Sequence, residues 1–258
     1  MGGVQEKQSG DPTAYQRERR SQLSSTRRGV PEARSRRGHA QPNGREKKIK
    51  QGMIPDGDVL VHAGDITSYG DEPSLRLFNE ELGRLPHRYK VVIAGNHEFG
   101  FDPQEEITER LKKHQGVGTP EGYRLLTNCI FLNDSEVVIE GIKFYGSSWH
   151  HLPRFPFYRP REALKENWAK IPTGVDVLIT HSPPLSFHHP SAELWGCRYL
   201  LEKVEQIRPV LHVFGHLHDC YGAVSNGHTT FVNAASEHAP KDDTFNRPIV
   251  FYILKKIL

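Results

Sequence analysis

Four short stretches of the chain carry side chains of the kinds that hold divalent metals, each directly after an apolar, β-branched run. They are Gly64-Asp65-Ile66-Thr67 after Val59 to Val61, Gly95-Asn96-His97-Glu98 after Val91 to Ile93, Thr180-His181-Ser182-Pro183-Pro184 after Val177 to Ile179, and Gly215-His216-Leu217-His218 after Val210 to Phe214. A carboxylate, a carboxamide and imidazoles form a mixed hard and borderline donor set. Such a set suits manganese, iron or zinc and differs from the all-oxygen shell that calcium prefers. In α/β sheets ligands collect outside the carboxyl ends of the strands, so donors placed there converge. A glycine before Asp65, Asn96 and His216 permits a sharp exit from each strand. The alternation of an extended chain puts His216 and His218 on one face, where both imidazoles reach one metal centre.

The elements that must position these donors read as an α/β alternation beginning at Asp56. Strands are expected at Asp58 to Ala63, Lys90 to Ala94, Cys129 to Leu132, Glu136 to Ile139, Lys143 to Gly146, Asp176 to Thr180, Val210 to Phe214, Thr229 to Val232 and Ile249 to Leu254. Glu72 to Arg84 repeats apolar residues at Leu75, Phe78 and Leu82, Ile107 and Leu111 lie four apart, and Arg161 to Lys170 and Arg198 to Ile207 also have amphipathic spacing.

The first 52 residues differ from the rest. They hold 13 Lys or Arg against 5 Asp or Glu, whereas the remainder holds 21 against 26. Their isolated apolar residues follow no period, which predicts a disordered basic tail over 1–52 and a folded domain over 53–258. Arginine pairs such as Arg19-Arg20 and Arg27-Arg28 give that tail an electrostatic route to nucleic acid or an anionic surface, with a solvated tail as the plainer expectation. Three cysteines, an odd number without metal-type pairing, argue against a disulfide framework and for a cytoplasmic location. The sequence contains neither a membrane-spanning apolar run nor the apolar centre of a signal peptide.

The ordered set GD-x-T, GNHE, THSPP and GHLH resembles the calcineurin-like metallophosphoesterase superfamily over about residues 54 to 258. The segments VVIAGNHE, HVFGHLHDCYG and FVNAAS resemble its metallophosphoesterase-domain-containing subfamily. The resemblance implies an α/β fold of four layers, a central β-sandwich of two mixed sheets flanked by helices. It implies that Asp65 bridges two metals, that Asn96, His181 and His216 complete the ligand set of the second metal, and that His218 is a ligand of the first metal. His97 would stand beside the phosphoryl group and Glu98 would orient its neighbours. The implied chemistry is hydrolysis of phosphate mono- or diesters, nucleotides or cyclic nucleotides among them, by water activated at manganese, with iron or zinc as alternatives. In-line attack needs no covalent intermediate.

The superfamily's opening Asp-x-His motif is absent: Asp11 precedes Pro12 and Thr13, and Asp56 precedes Gly57 and Asp58. The first metal position then keeps only Asp65 and His218, so one or two ions, weakened activity and a core without its first strand are expected. A shortened product is the expected origin. The alternative functions are a catalytically impaired phosphate- or nucleotide-binding protein and an interaction protein acting through its tail.

Other histidines divide by context. His62, His212 and His228 read as packing or surface residues and His87 and His114 as exposed. The pairs His150-His151 and His188-His189 lie in aromatic, proline-rich loops of the kind that form pocket walls, and are candidates for substrate contact. The run Trp149, Phe155, Phe157 and Tyr158 would either cover a nucleotide base or pack as a satellite core.

Overall fold

The computed structural model describes residues 54–185, 195–237 and 245–254. The expected basic tail and His188 and His189 lie outside the described residues.

The first sheet consists of β1 (Val59–His62), β2 (Tyr89–Val92) and β3 (Ile130–Phe131), in that spatial order and parallel throughout, with Val61 opposite Val91. The second contains β4 (Ser135–Ile139), β5 (Ile142–Ser147), β6 (Val177–Thr180), β7 (Leu211–Phe214), β8 (Gly222–Ser225) and β9 (Thr230–Asn233). Its order is β4-β5-β6-β7-β9-β8, with β5, β6, β7 and β9 parallel and the outer strands β4 and β8 antiparallel to their neighbours. This is the expected α/β architecture.

Strand periodicity explains how the sheets face each other. Val91, Ile93, Val177, Ile179, Leu211, Val213 and Val232 form one core cluster, while Val92, Ala94, Leu178, Phe214 and Phe231 belong to a second cluster that includes helical residues. Successive side chains on one strand thus serve opposite faces, as in packed sheets. All four positions of β6 and of β7 are buried.

Helix α1 (Glu72–Arg84) starts where the Asp71 carboxylate accepts from the Ser74 amide at 3.0 Å, and its buried stripe is Leu75, Phe78 and Leu82. It stops at Leu85, extended because Pro86 follows. Helix α2 (Leu164–Ala169) buries Leu164 and Trp168, and α3 (Arg198–Ile207) buries Tyr199, Leu200 and Val204.

Several expectations need correction. Ile107 opens a short 3₁₀ turn at Ile107–Glu109 and Leu111 precedes another at Lys112–His114, so the two do not share an α-helix. Residues Ile249 to Leu254 form no ladder; Ile249 and Ile253 pack on the inter-sheet core, while Tyr252 and Leu254 are 96% and 92% exposed. The alternation that suggested a strand there reflects this one-sided packing. Strand β8 escaped the sequence reading because Gly222 to Ser225 has little apolar content. His87 and His114 are buried, not exposed, and His114 packs against Phe99, Phe155 and Tyr69.

Among the described residues no helix is long and apolar enough to cross a membrane.

Candidate metal centre

The loops leaving β1, β2, β6 and β7 meet, and they bring together Asp65, Asn96, His181 and His216. Asn96 Oδ1 lies 2.9 Å from both His181 Nε2 and His216 Nδ1, and those two nitrogens are 3.2 Å apart. Asp65 Oδ1 stands 3.5 Å from His181 Nε2. The ligand atoms of Asp65, His181 and His216 all fall within 4.8 Å of one another.

Local backbone accounts for this convergence. Asp65 and His216 both adopt left-handed conformations, with φ of 55° and 69°. Such strain persists only where the surroundings fix it. Gly95 allows the loops to close: a Cβ there would lie 2.3 Å from Asp65 Oδ1 and 2.6 Å from His181 Cε1. Gly64, at φ +91°, would set a Cβ 2.6 Å from the Ala94 carbonyl.

The protonation states follow from the partners. His181 Nδ1 is 2.9 Å from the Ala63 carbonyl oxygen, which only accepts, so the proton sits on Nδ1 and Nε2 presents its lone pair to the cluster. Burial, and then the neighbouring His181, push His216 down to about 3, so that ring is neutral at physiological pH. The cluster of Asp65 Oδ1, Asn96 Oδ1, His181 Nε2 and His216 Nδ1 therefore gathers acceptor atoms beside a neutral His216 ring. A divalent cation satisfies such a set. Its oxygen and nitrogen donors fit manganese, iron or zinc.

Two supports hold the cluster. Glu98 is wholly buried, and its carboxylate accepts from the backbone N–H of Asp65 at 3.0 Å, Thr67 at 2.9 Å and Gly95 at 2.6 Å. It thereby ties the loop of Asp65 to the loop of Asn96. Burial, and secondarily the Asp65 charge, raise its carboxyl to about 7. The second support is His150, whose ring stacks on His216 with centroids 5.9 Å apart and planes at 18°.

His150 is not placed to touch substrate, contrary to expectation. It is fully buried; Nε2 donates to the Pro156 carbonyl at 2.7 Å, and Nδ1 accepts from the Leu152 amide at 3.0 Å. The turn over 150–158 consumes both ring nitrogens. His151 is outside the cluster too: its Nε2 accepts from the Arg161 guanidinium at 2.8 Å, and the ring stacks on Trp195.

His218 lines a cavity together with Asp65 and His216, and its Nδ1 lies 3.2 Å from Glu237 Oε2. Glu237 was missed by sequence reasoning, although it directly follows the FVNAAS segment that carried part of the resemblance.

His97 borders the cluster through its backbone, whose N–H donates to Asp65 Oδ1 at 3.1 Å. Its Nδ1 donates to the Ser68 carbonyl at 2.9 Å, so that bond does not use Nε2. The ring packs edge-on against Phe155. Of the aromatic run, Trp149 and Phe157 are core residues, whereas Phe155 contacts His97, Phe99 and His114.

A cavity of about 560 Å³ lies along β1. Its walls include Val59, Val61, Phe144, Val213 and Ile249, with Asp65, His216 and His218 at its border.

Comparison with known proteins agrees with this geometry. The family model described as calcineurin-like phosphoesterase matches residues 38–220, which contain all four donor loops. UPF0046 protein K07C11.7 of Caenorhabditis elegans is 52% identical over 207 residues, covering 80% of this chain and 71% of that protein. Human metallophosphoesterase domain-containing protein 1 is 48% identical over 201 residues, covering 71% of this chain and 61% of the human protein. The family match and these identities establish that the chain belongs to the calcineurin-like phosphoesterase family.

Proposed function

We propose that the chain is a metal-dependent phosphoesterase that hydrolyses phosphate mono- or diesters of the nucleotide class, with manganese as the ion. The observation that carries this reading is the proton-poor cluster of Asp65, Asn96, His181 and His216 at the ends of four strands. These residues would hold the ion. When bound, it supplies Lewis acidity toward a phosphoryl oxygen and lowers the pKa of water. Asp65 contributes the negative charge, and the neutral His216 imidazole offers a nitrogen donor that need not first lose a second proton. His97 takes the proton-donating role: with Nδ1 committed to Ser68, Nε2 is the ring nitrogen placed to hand a proton to a leaving or equatorial oxygen as negative charge builds. Glu98 is a positioning residue that holds the Asp65 and Asn96 loops together.

One observation favours a second reading, a phosphate- or nucleotide-binding protein of impaired activity: His218 Nδ1 is engaged with Glu237 Oε2 at 3.2 Å. The described cysteines, Cys129, Cys197 and Cys220, are all free, which supports a reducing compartment such as the cytoplasm.

The test is hydrolysis of bis-p-nitrophenyl phosphate by the full chain with manganese, beside Asp65→Ala and His216→Ala variants. Activity that falls by at least about 100-fold in both variants supports the enzyme. Unchanged activity in the variants contradicts the assignment, and binding of phosphate without turnover selects the second reading.

A further inference from the structure

Residues 249–254 read Ile-Val-Phe-Tyr-Ile-Leu, an uncharged run of β-branched, aromatic and aliphatic side chains with high strand propensity. Among the described residues this run nevertheless joins no ladder. Its two faces differ. Ile249 and Ile253 pack on the inter-sheet core, while Val250, Tyr252 and Leu254 are 50%, 96% and 92% exposed, the period-two alternation of an extended chain.

The stretch leading into the run is fixed. The Asn246 N–H donates to the Ser236 carbonyl at 2.9 Å, Asn246 Nδ2 donates to the Ala235 carbonyl at 2.9 Å, and the Tyr221 hydroxyl donates to the Arg247 carbonyl at 2.6 Å. With Ile249 and Ile253 anchored as well, the outer face is organised in advance and loses little freedom on association.

Two features of this face call for a partner, and together they select which one. The first is area. Phe245, Val250, Phe251, Tyr252 and Leu254 are all exposed. Taking about 200 Å² for a large side chain, they leave roughly 600 Å² of apolar surface open, which in a two-fold pair gives roughly 1,200 Å², the lower bound of a stable interface. Monomeric proteins rarely leave that much apolar surface on one stretch. The second feature is the main chain, since a strand-like run outside a ladder can pair with another chain through its backbone groups. A lipid surface would cover the side chains but offers the backbone no hydrogen-bond partner. A second copy supplies both: an extended run meets its own copy antiparallel about a two-fold axis, with Val250 of one opposite Leu254 of the other.

We propose that residues 250–254 form a self-association surface, through which two copies of the chain pair antiparallel with their Tyr252 side chains facing each other across the axis.

Sedimentation equilibrium of the full chain tests this. At about 100 µM, above the micromolar limit of weak interfaces of this class, the wild-type protein should show twice the 29.4 kDa mass of one chain. Tyr252→Glu and Tyr252→Lys should each sediment as monomers, because like charges then stand directly opposite, and an equimolar mixture of the two variants should recover the dimer. Tyr252 is almost wholly exposed, so both variants should keep the wild-type urea midpoint, which separates loss of pairing from loss of fold. Under oxidation Tyr252→Cys should link copy to copy, whereas Val138→Cys, exposed on β4 outside this surface, should not. A monomeric wild-type chain at that concentration, a dimer that persists in both charge variants, a mixture that stays monomeric, or a mass that climbs beyond two copies overturns the proposal. A monomeric wild-type chain that binds phosphatidylserine vesicles overturns it in favour of a lipid surface.

Discussion

Replacing Glu98 by alanine tests how the cluster is held. The substitution removes the acceptor for three backbone N–H groups, those of Asp65, Thr67 and Gly95, in a place with no exposure to solvent. An orphaned buried donor costs about 1–3 kcal/mol. Water can enter the space the carboxylate leaves, so the low end applies and the sum is about 3 kcal/mol. The charge of Glu98 acts in the opposite sense. Burial and Asp65 raise its carboxyl from 4.5 to about 7, so between those values the folded chain binds more protons than the unfolded one, and stability falls as pH rises through that window. At about 1.4 kcal/mol per pH unit, the loss is of the order of 3 kcal/mol by pH 8. Alanine lacks this loss. Urea unfolding of EDTA-treated protein should therefore show Glu98→Ala about 3 kcal/mol less stable than wild type at pH 5, with the difference shrinking toward zero at pH 8. Manganese affinity should fall about 10- to 100-fold, since the loops of Asp65 and Asn96 lose their common tie. A variant with wild-type midpoints at both pH values and wild-type manganese affinity would refute the reasoning.

Other consequences are open to test. Burial pushes His212 down to about 3, so below its ordinary value near 6.5 the unfolded chain binds more protons and this group's contribution to stability is lost as pH falls. His212→Phe should lose less stability than wild type between pH 6.5 and 4, measured as urea midpoint against pH. His150→Ala removes the ring stacked on His216, and calorimetry should show manganese affinity down about ten-fold. Gly95→Ala forces a methyl group against Asp65 and His181, and thermal unfolding should register a loss of about 1–3 kcal/mol or more. Arg110→Met leaves the Glu105 carboxylate buried without its cation, and denaturant unfolding should show about 3–5 kcal/mol of destabilisation.

Much of the site was legible because its donors follow strands that any reader can find. Val59 to Val61, Val91 to Ile93, Val177 to Ile179 and Val210 to Phe214 have the apolar density of buried strands, and the polar residues after them share one end of the sheets. What the sequence did not disclose depends on backbone sign and on distant partners. Nothing in Gly-His-Leu-His announces that His216 adopts a positive φ. His150 looked like a pocket residue because histidines in aromatic loops often are; its burial depends on Pro156 and Leu152 closing the same turn. Trp195 had no local signal, since its place beside His216 comes from long-range packing. At the C-terminal side, Ile249 and Ile253 produced a strand-like alternation by packing one face on the core without gaining a ladder.

The most direct test of the account is calorimetric titration of manganese into EDTA-stripped full chain, beside Asp65→Asn, His181→Ala and His216→Ala. The four-donor cluster predicts a saturable site in the wild-type protein and at least about a 100-fold loss of affinity in each variant. Manganese binding that survives all three substitutions, or no binding to the wild-type chain at millimolar metal, would contradict it.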